Sequence, residues 1–229
     1  MNRQMRLERT ALLLSPAQME RLEHAHVMLF GLGGVGGHAA EALARGGVGK
    51  LTLVDHDVVS PSNLNRQLAA LESTVGRPKA QVLSARLRDA APDAEIVAVE
   101  AFYLPESPVP IPQDVSVVVD AIDTVSAKLH LAQTCYERGI PLISCMGMGN
   151  RLDPTLIRVG DIFETSGCPL CRVVRQGLRK RNIPSLRCVY SLEPAIGTGG
   201  RLPGSVSFVP PAAGLFLAAE AVRLIAGER

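Results

Sequence analysis

The chain has no tryptophan, and only 3% of its 229 residues are aromatic, so ring stacking does not build its core. Hydrophobic residues still make up 47%, which leaves Val, Leu, Ile and Ala to fill the interior, as in a parallel sheet buried on both faces. Charge of one sign is also missing. The 24 basic and 22 acidic residues leave a formal charge of +2, too little for a globally cationic nucleic-acid binder, so any basic patch must be local. Met1–Arg9 is charged throughout and does not read as an export signal. The apolar stretch Ala212–Ala226 carries Glu220 and Arg223 and reads as too short to cross a membrane. Five cysteines without an export signal read as thiols, not disulfides. The expectation is a cytoplasmic protein that does not contact membranes.

What is present begins with Gly31-Leu32-Gly33-Gly34-Val35-Gly36, lying between the apolar run His26–Phe30 and the helical pattern His38–Ala44. Gly31, Gly33, Gly34 and Gly36 let the backbone pass close to a phosphate, whose charge then rests against amides at a helix N-terminus. A second strand, Leu51–Val54, ends in Asp55, about twenty residues beyond the loop, where an acid reaches a ribose hydroxyl. This is a nucleotide site.

Strand and helix then alternate as far as about residue 145. Ser15-Pro16-Ala17-Gln18 opens a short helix with a capping box. Lys79–Ala91 reads as a helix stopped by Pro92, and Glu95–Glu100 as a strand. Leu104–Pro112, with four prolines, is a rigid connection. Val115–Val119 is a central strand, Ser126–Arg138 a helix and Ile140–Cys145 another buried strand. The remainder is less regular: an antiparallel strand over Thr155–Asp161, a basic helix over Arg172–Arg181, a short strand at Cys188–Ser191, and a glycine-rich loop at Ile196–Gly204. The closing segment holds Ser205–Val209 and the helix Ala212–Ala226. The fold class is α/β: a Rossmann-like, doubly wound, mostly parallel sheet with an antiparallel C-terminal elaboration. One domain over 1–229 is expected, with its nucleotide-binding core over about 15–150 and the elaboration over 151–229.

The glycine pattern alone admits a dinucleotide. The residues after Asp55 shift the balance towards a triphosphate. A polar loop containing Asp57 and Asn63 ends in Arg66-Gln67, Lys79 opens the next helix, and Asp123 follows the strand Val115–Val119. In a doubly wound sheet these strand ends share one crevice. Singly, Arg66 and Lys79 would pass for solvated surface charges. Together with a carboxylate they suit phosphoryl chemistry supported by Mg²⁺.

The set Gly31–Gly36, Asp55…Asn63-Leu64-Asn65-Arg66-Gln67, Pro78-Lys79 and Asp120-Ala121-Ile122-Asp123 resembles the adenylating enzymes typified by ubiquitin-activating enzymes and by the bacterial enzymes that activate sulfur-carrier proteins. The resemblance implies that Asp55 binds ribose, Arg66 and Lys79 bind phosphates, Asn63 supports the triphosphate, and Asp123 is the Mg²⁺-associated acid. It also implies a homodimer, in which Arg6 or Arg9 crosses to the neighbouring subunit's nucleotide. A narrower similarity, to a tRNA-modifying dehydratase branch, rests on Arg9–Leu14, Val119–Thr124, Met146–Thr155, Cys168–Arg175 and Gly204–Pro210. It implies ATP-driven activation of a threonine carboxylate on a modified adenosine beside a tRNA anticodon, then ring closure and AMP release. The alternatives are activation of a small carrier protein ending in Gly-Gly, or a nicotinamide-binding dehydrogenase or redox sensor.

Cys168-Pro169-Leu170-Cys171 has the spacing of half a zinc site, and the sequence has no second pair, so no zinc is expected. Sulfur-relay partners of the related enzymes find no support here. Cys188, next to Arg187, is the one candidate for a reactive thiol, but a structural role is favoured for it because the adenylate route needs no covalent thioester. Arg172, Arg175, Arg179, Lys180, Arg181 and Arg187 form a basic run that a tRNA partner would use. The bland reading of that run is a solvated helix face.

Overall fold

The computed structural model describes residues 3–166, 168–197, 199–200 and 202–227. Seven helices occur in chain order: α1 (Arg3–Arg6), α2 (Pro16–His24), α3 (Gly36–Arg45), α4 (Lys79–Ala90), α5 (Val125–Glu137), α6 (Pro169–Arg179) and α7 (Val209–Ala226). The strands are β1 (His26–Phe30), β2 (Lys50–Val54), β3 (Glu95–Val99), β4 (Val115–Asp120), β5 (Leu142–Cys145), β6 (Ile157–Asp161) and β7 (Arg187–Ser191). They form one sheet in the order β3-β2-β1-β4-β5-β7-β6, parallel except for the β6–β7 pair. The order reverses between β1 and β4, which opens the crevice where ligands bind in such sheets.

Local chemistry explains most boundaries. The Ser15 side chain accepts from the Gln18 amide and the Gln18 side chain accepts from the Ser15 amide, so the expected capping box opens α2. β1 is buried along its whole length, as its unbroken apolar run requires. The antiparallel strand starts at Ile157, two residues later than expected, because Asp153 turns the chain and its carboxylate accepts from the Thr155 amide at 2.8 Å. The basic helix starts early, at Pro169, a residue suited to a first helical position. Thr198 and Arg201, within the expected loop Ile196–Gly204, lie outside the described residues.

The last helix corrects an expectation. α7 runs 18 residues with mean hydropathy 1.5, and by length and composition is apolar enough to cross a membrane. Half of it is buried inside this protein, where it packs on α3 and on the sheet. The crossing with α3 is close enough to require Gly214, since a Cβ there would lie 2.3 Å from the Val35 carbonyl oxygen. α7 thus fixes the helix that begins at the glycine loop.

Candidate active site

The glycine loop leaves β1 through Gly31, whose φ of +85° belongs to the left-handed region. A Cβ at Gly31 would come within 2.7 Å of the Ala121 carbonyl oxygen, and one at Gly36 would overlap the Gly31 carbonyl. These two glycines let the loop fold tightly against the end of β4. The amides of Gly33 and Gly34 find no acceptor among the described residues, which leaves them able to meet an anion at the start of α3.

Asp55 is 8% exposed, and both of its oxygens accept from backbone amides: Leu32 at 2.6 Å and Asp57 at 2.7 Å. Its carboxylate therefore ties the end of β2 to the glycine loop while facing the cavity. Lys79 is also buried, 5% exposed, with Nζ donating to Asp57 Oδ2 at 2.7 Å. Asn63 lines no described cavity. Its side-chain oxygen accepts from the Ser60 amide at 3.0 Å, and its carbonyl receives the amides of Arg66 and Gln67, so it shapes the turn that presents Arg66. Arg66 donates to Ser62 O at 2.9 Å and Asn65 Oδ1 at 2.7 Å. Gln67 is buried, and its Oε1 has no hydrogen-bond partner among the described residues.

Two cavities meet here. The first, of about 180 Å³, is lined by Gly31, Gly33, Asp55, Asp57, Gln67, Lys79 and Asp123, with His56 stacked on Phe102 at 4.0 Å between ring centroids. The second, of about 420 Å³, is lined by Gly34, Arg66 and Asp123 on one side, and on the other by Met146–Gly149, Arg151, Cys168, Leu170 and Pro203–Ser205. Asp123 is exposed and belongs to both. The structure thus brings together the glycines, Asp55, Asp57, Arg66, Gln67, Lys79 and Asp123.

Of the two arginines expected to cross between subunits, Arg6 is engaged within the chain. Its guanidinium meets both oxygens of Asp93, the shortest contact being 2.7 Å. Arg9 is exposed and has no partner among the described residues. The basic run divides in the same way. Arg175 donates to Ile162 O and to Thr165, Arg187 pairs with Glu220 at 2.6 Å, and Arg181 bonds to Gln133 and Gly177. Arg179 lies over the Phe163 ring, and Arg172 and Lys180 are exposed.

One feature was not foreseen. Below the site, Lys128 and Asp120, both 0% exposed, pair at 2.7 Å. Lys128 also donates to Ser144 Oγ and Cys145 O, Ser144 donates to Asp120, and Asp120 accepts from the Ile122 amide. This network holds the turn bearing Asp123. The Asp120 position belonged to a recognised motif, but nothing in the sequence marked Lys128 as its buried partner. Cys188 lies in the core. It is fully buried, desolvation pushes its thiol up to about 12, and the guanidinium of Arg187 goes to Glu220 instead.

A doubly wound sheet with a phosphate loop, buttressed carboxylates, convergent cations and an exposed acid defines a nucleotide-binding enzyme. The chain belongs to the ThiF family, whose profile matches residues 2–229. It is 39% identical over 233 residues to the tRNA threonylcarbamoyladenosine dehydratase of Bacillus subtilis strain 168, covering 93% of this chain and 92% of the relative. Its fold superposes on the Escherichia coli tRNA N6-threonylcarbamoyladenosine dehydratase TcdA in complex with ATP with a TM-score of 0.90, at 33% identity, covering 98% of this chain and 95% of that one. The same enzyme with AMP matches equally well. The molybdopterin-synthase adenylyltransferase of Salmonella typhimurium is 40% identical, but over 125 residues, 55% of this chain.

Proposed function

We propose that this chain is a cytoplasmic, homodimeric tRNA threonylcarbamoyladenosine dehydratase folded as a single domain. It uses ATP to activate the threonine carboxylate of threonylcarbamoyladenosine in tRNA. The observation that carries this reading is the junction of two cavities at Asp123, in a chain similar to such dehydratases along almost its whole length. ATP lies in the smaller cavity, with its phosphates against the Gly33 and Gly34 amides. The nucleoside enters the larger one.

A carboxylate becomes a useful electrophile once one of its oxygens can leave as part of AMP. The carboxylate oxygen attacks the α-phosphorus, the bond to the β-phosphate oxygen breaks, and pyrophosphate departs. In-line placement and charge neutralisation drive this step more than proton transfer does. Arg66 holds the charge on the acceptor side and Lys79 on the nucleotide side. Asp123, an exposed hard-oxygen donor beside the phosphate path, would hold a Mg²⁺ ion there. That ion supplies charge neutralisation when bound. An atom within the same modification then attacks the activated carbonyl, closing a ring and expelling AMP, for a net loss of water. Arg9, without a partner among the described residues, is the arginine that reaches the neighbouring subunit's nucleotide.

The test is incubation with ATP, Mg²⁺ and threonylcarbamoyladenosine-bearing tRNA. One AMP per cyclised nucleoside is expected, with no AMP from unmodified tRNA. AMP formed only with a Gly-Gly carrier protein would overturn the reading in favour of carrier activation. Thermal protection by NAD equal to that by ATP would overturn it in favour of a dehydrogenase.

A further inference from the structure

Cys168 and Cys171 lie one helical turn apart where α6 begins, Cys168 just before Pro169 and Cys171 inside the first turn. Both side chains are buried in one cluster, where the two thiols influence each other. Cys168 is 5% exposed and lines the wall of the larger cavity opposite Arg66 and Asp123. It also lines a recess beside Arg172 and Arg175 on the other side of the helix start, so a small reagent has two approaches to it. Arg151, 4% exposed and held by the carbonyls of Gly147 and Glu193, lines the same cavity as Cys168, and its positive charge favours a thiolate there.

These contacts give the two sulfurs different characters. Cys168 faces the amide end of a helix, a guanidinium and a thiol donor, all of which stabilise a thiolate. The neighbouring Cys171 thiol is the strongest of the influences and outweighs the burial that opposes it, so the Cys168 thiol sits well below the usual range. The same neighbour, together with burial, holds Cys171 up. Cys135 and Cys145, like Cys188, are pushed up to about 12 by desolvation. One low thiolate with a neutral thiol one turn away is the arrangement of a dithiol that cycles.

We propose that Cys168 and Cys171 form a reversible redox pair that peroxide closes to an intrachain disulfide on the acceptor-side wall of the cleft. The Cys168 thiolate attacks one peroxide oxygen; the S–O bond forms, the O–O bond breaks and hydroxide leaves, giving a sulfenic acid. Cys171 then attacks the Cys168 sulfur as its own proton is lost; the S–S bond forms, the S–O bond breaks and hydroxide leaves. Each hydroxide is protonated to water. Two sulfurs are oxidised by one electron each, and one peroxide is reduced to two waters. The disulfide removes the negative charge beside Arg151 and draws Cys168 towards the helix. A drop in acceptor use follows, and that consequence alone rests on the proposed function.

The test starts from fully reduced protein, treated with one equivalent of hydrogen peroxide, denatured, alkylated with N-ethylmaleimide, digested and analysed by mass spectrometry. The expected product is a Cys168–Cys171 linkage, with Cys135, Cys145 and Cys188 alkylated. Cys168→Ser should abolish it, Cys171→Ser should leave a dimedone-reactive sulfenic acid on Cys168, and Cys188→Ser should change neither. Oxidation spread over all five thiols, or a fully alkylated pair, would overturn the proposal. So would one zinc per chain in the reduced protein, because the two sulfurs would then be ligands. AMP release with modified tRNA, measured before oxidation, after it and after dithiothreitol, tests the coupling. A severalfold loss that dithiothreitol restores is expected, and an unchanged rate with the linkage present would refute the coupling. A linkage that forms in protein making no AMP even when reduced would sustain the redox pair and overturn the assigned reaction.

Discussion

The two cavities that share Asp123 are built by different means. The smaller one is framed largely by backbone: a left-handed Gly31, the loop amides, and an Asp55 whose two oxygens are both held by main-chain N–H groups. The larger one is walled by side chains from segments distant in the chain, with Arg66 on one side and Arg151, Cys168 and Pro203 on the other. Backbone framing tolerates few changes and suits a ligand that stays the same, such as a triphosphate. Side-chain walls can vary without disturbing the sheet, which suits the part of the reaction that distinguishes one acceptor from another. Beneath both lies the Asp120–Lys128–Ser144 network, which joins the ends of β4 and β5 and so sets the distance between the two halves.

The strongest way to break this division is to cut the shared support. Lys128→Met leaves Asp120 charged and unpaired in the core. Removing one partner of a buried pair costs about 3–5 kcal/mol, which a urea-unfolding midpoint would read directly. An unchanged midpoint would mean that the network does not support the site. Next in size is Asp123→Ala. Since Asp123 is exposed, the fold should be retained while AMP formation falls at least ~100-fold, the scale of a lost transition-state charge contact. Wild-type turnover would remove Asp123 from the chemistry.

A third measurement uses a region outside both cavities as a control. Asp93 is partly desolvated, but hydrogen bonds from Arg6 and then Arg3 more than compensate, holding its carboxyl near 2 against an ordinary 3.8. The lowered pKa means that the pairing stabilises the fold above about pH 4, and that this contribution is lost as pH falls from there towards 2. Because Asp93 is exposed, solvent screening leaves about 1 kcal/mol of it or less. Stability curves of wild type and Asp93→Asn should converge over that window. ATP affinity at neutral pH should stay the same, because Asp93 lines neither cavity. Curves that stay parallel down to pH 2 would deny the shift.

The smallest effect concerns the basic helix. Arg175, Arg181 and Arg187 are engaged within the chain, so the residues of that run left for phosphates are Arg172 and Lys180, with Arg179 beside them. Arg172→Ala with Lys180→Ala should weaken tRNA binding and flatten the slope of log affinity against log salt by roughly one to two units. ATP binding should not change. A wild-type slope would move the RNA contact off this helix.

What the sequence determined by itself were the features written in local chemistry. The capping box at Ser15, the fully apolar His26–Phe30, the glycine loop and the alternation through residue 145 each follow from neighbours a few positions apart, and β1 and the start of α4 fall where they were expected. The convergence of Arg66, Lys79 and Asp123 was legible too, since a doubly wound sheet places successive strand ends in one crevice. Other assignments were settled only by the tertiary structure, because they depend on partners far away in the chain. Asn63 turned out to shape a turn, Lys128 to pair with Asp120 beneath the site, and Arg175 to hold the loop at Thr165. The setting of each cysteine was decided by packing for the same reason. A thiol's character is set by the burial and charge around it, and packing put Cys188 in the core while setting Cys168 at a helix start beside Arg151.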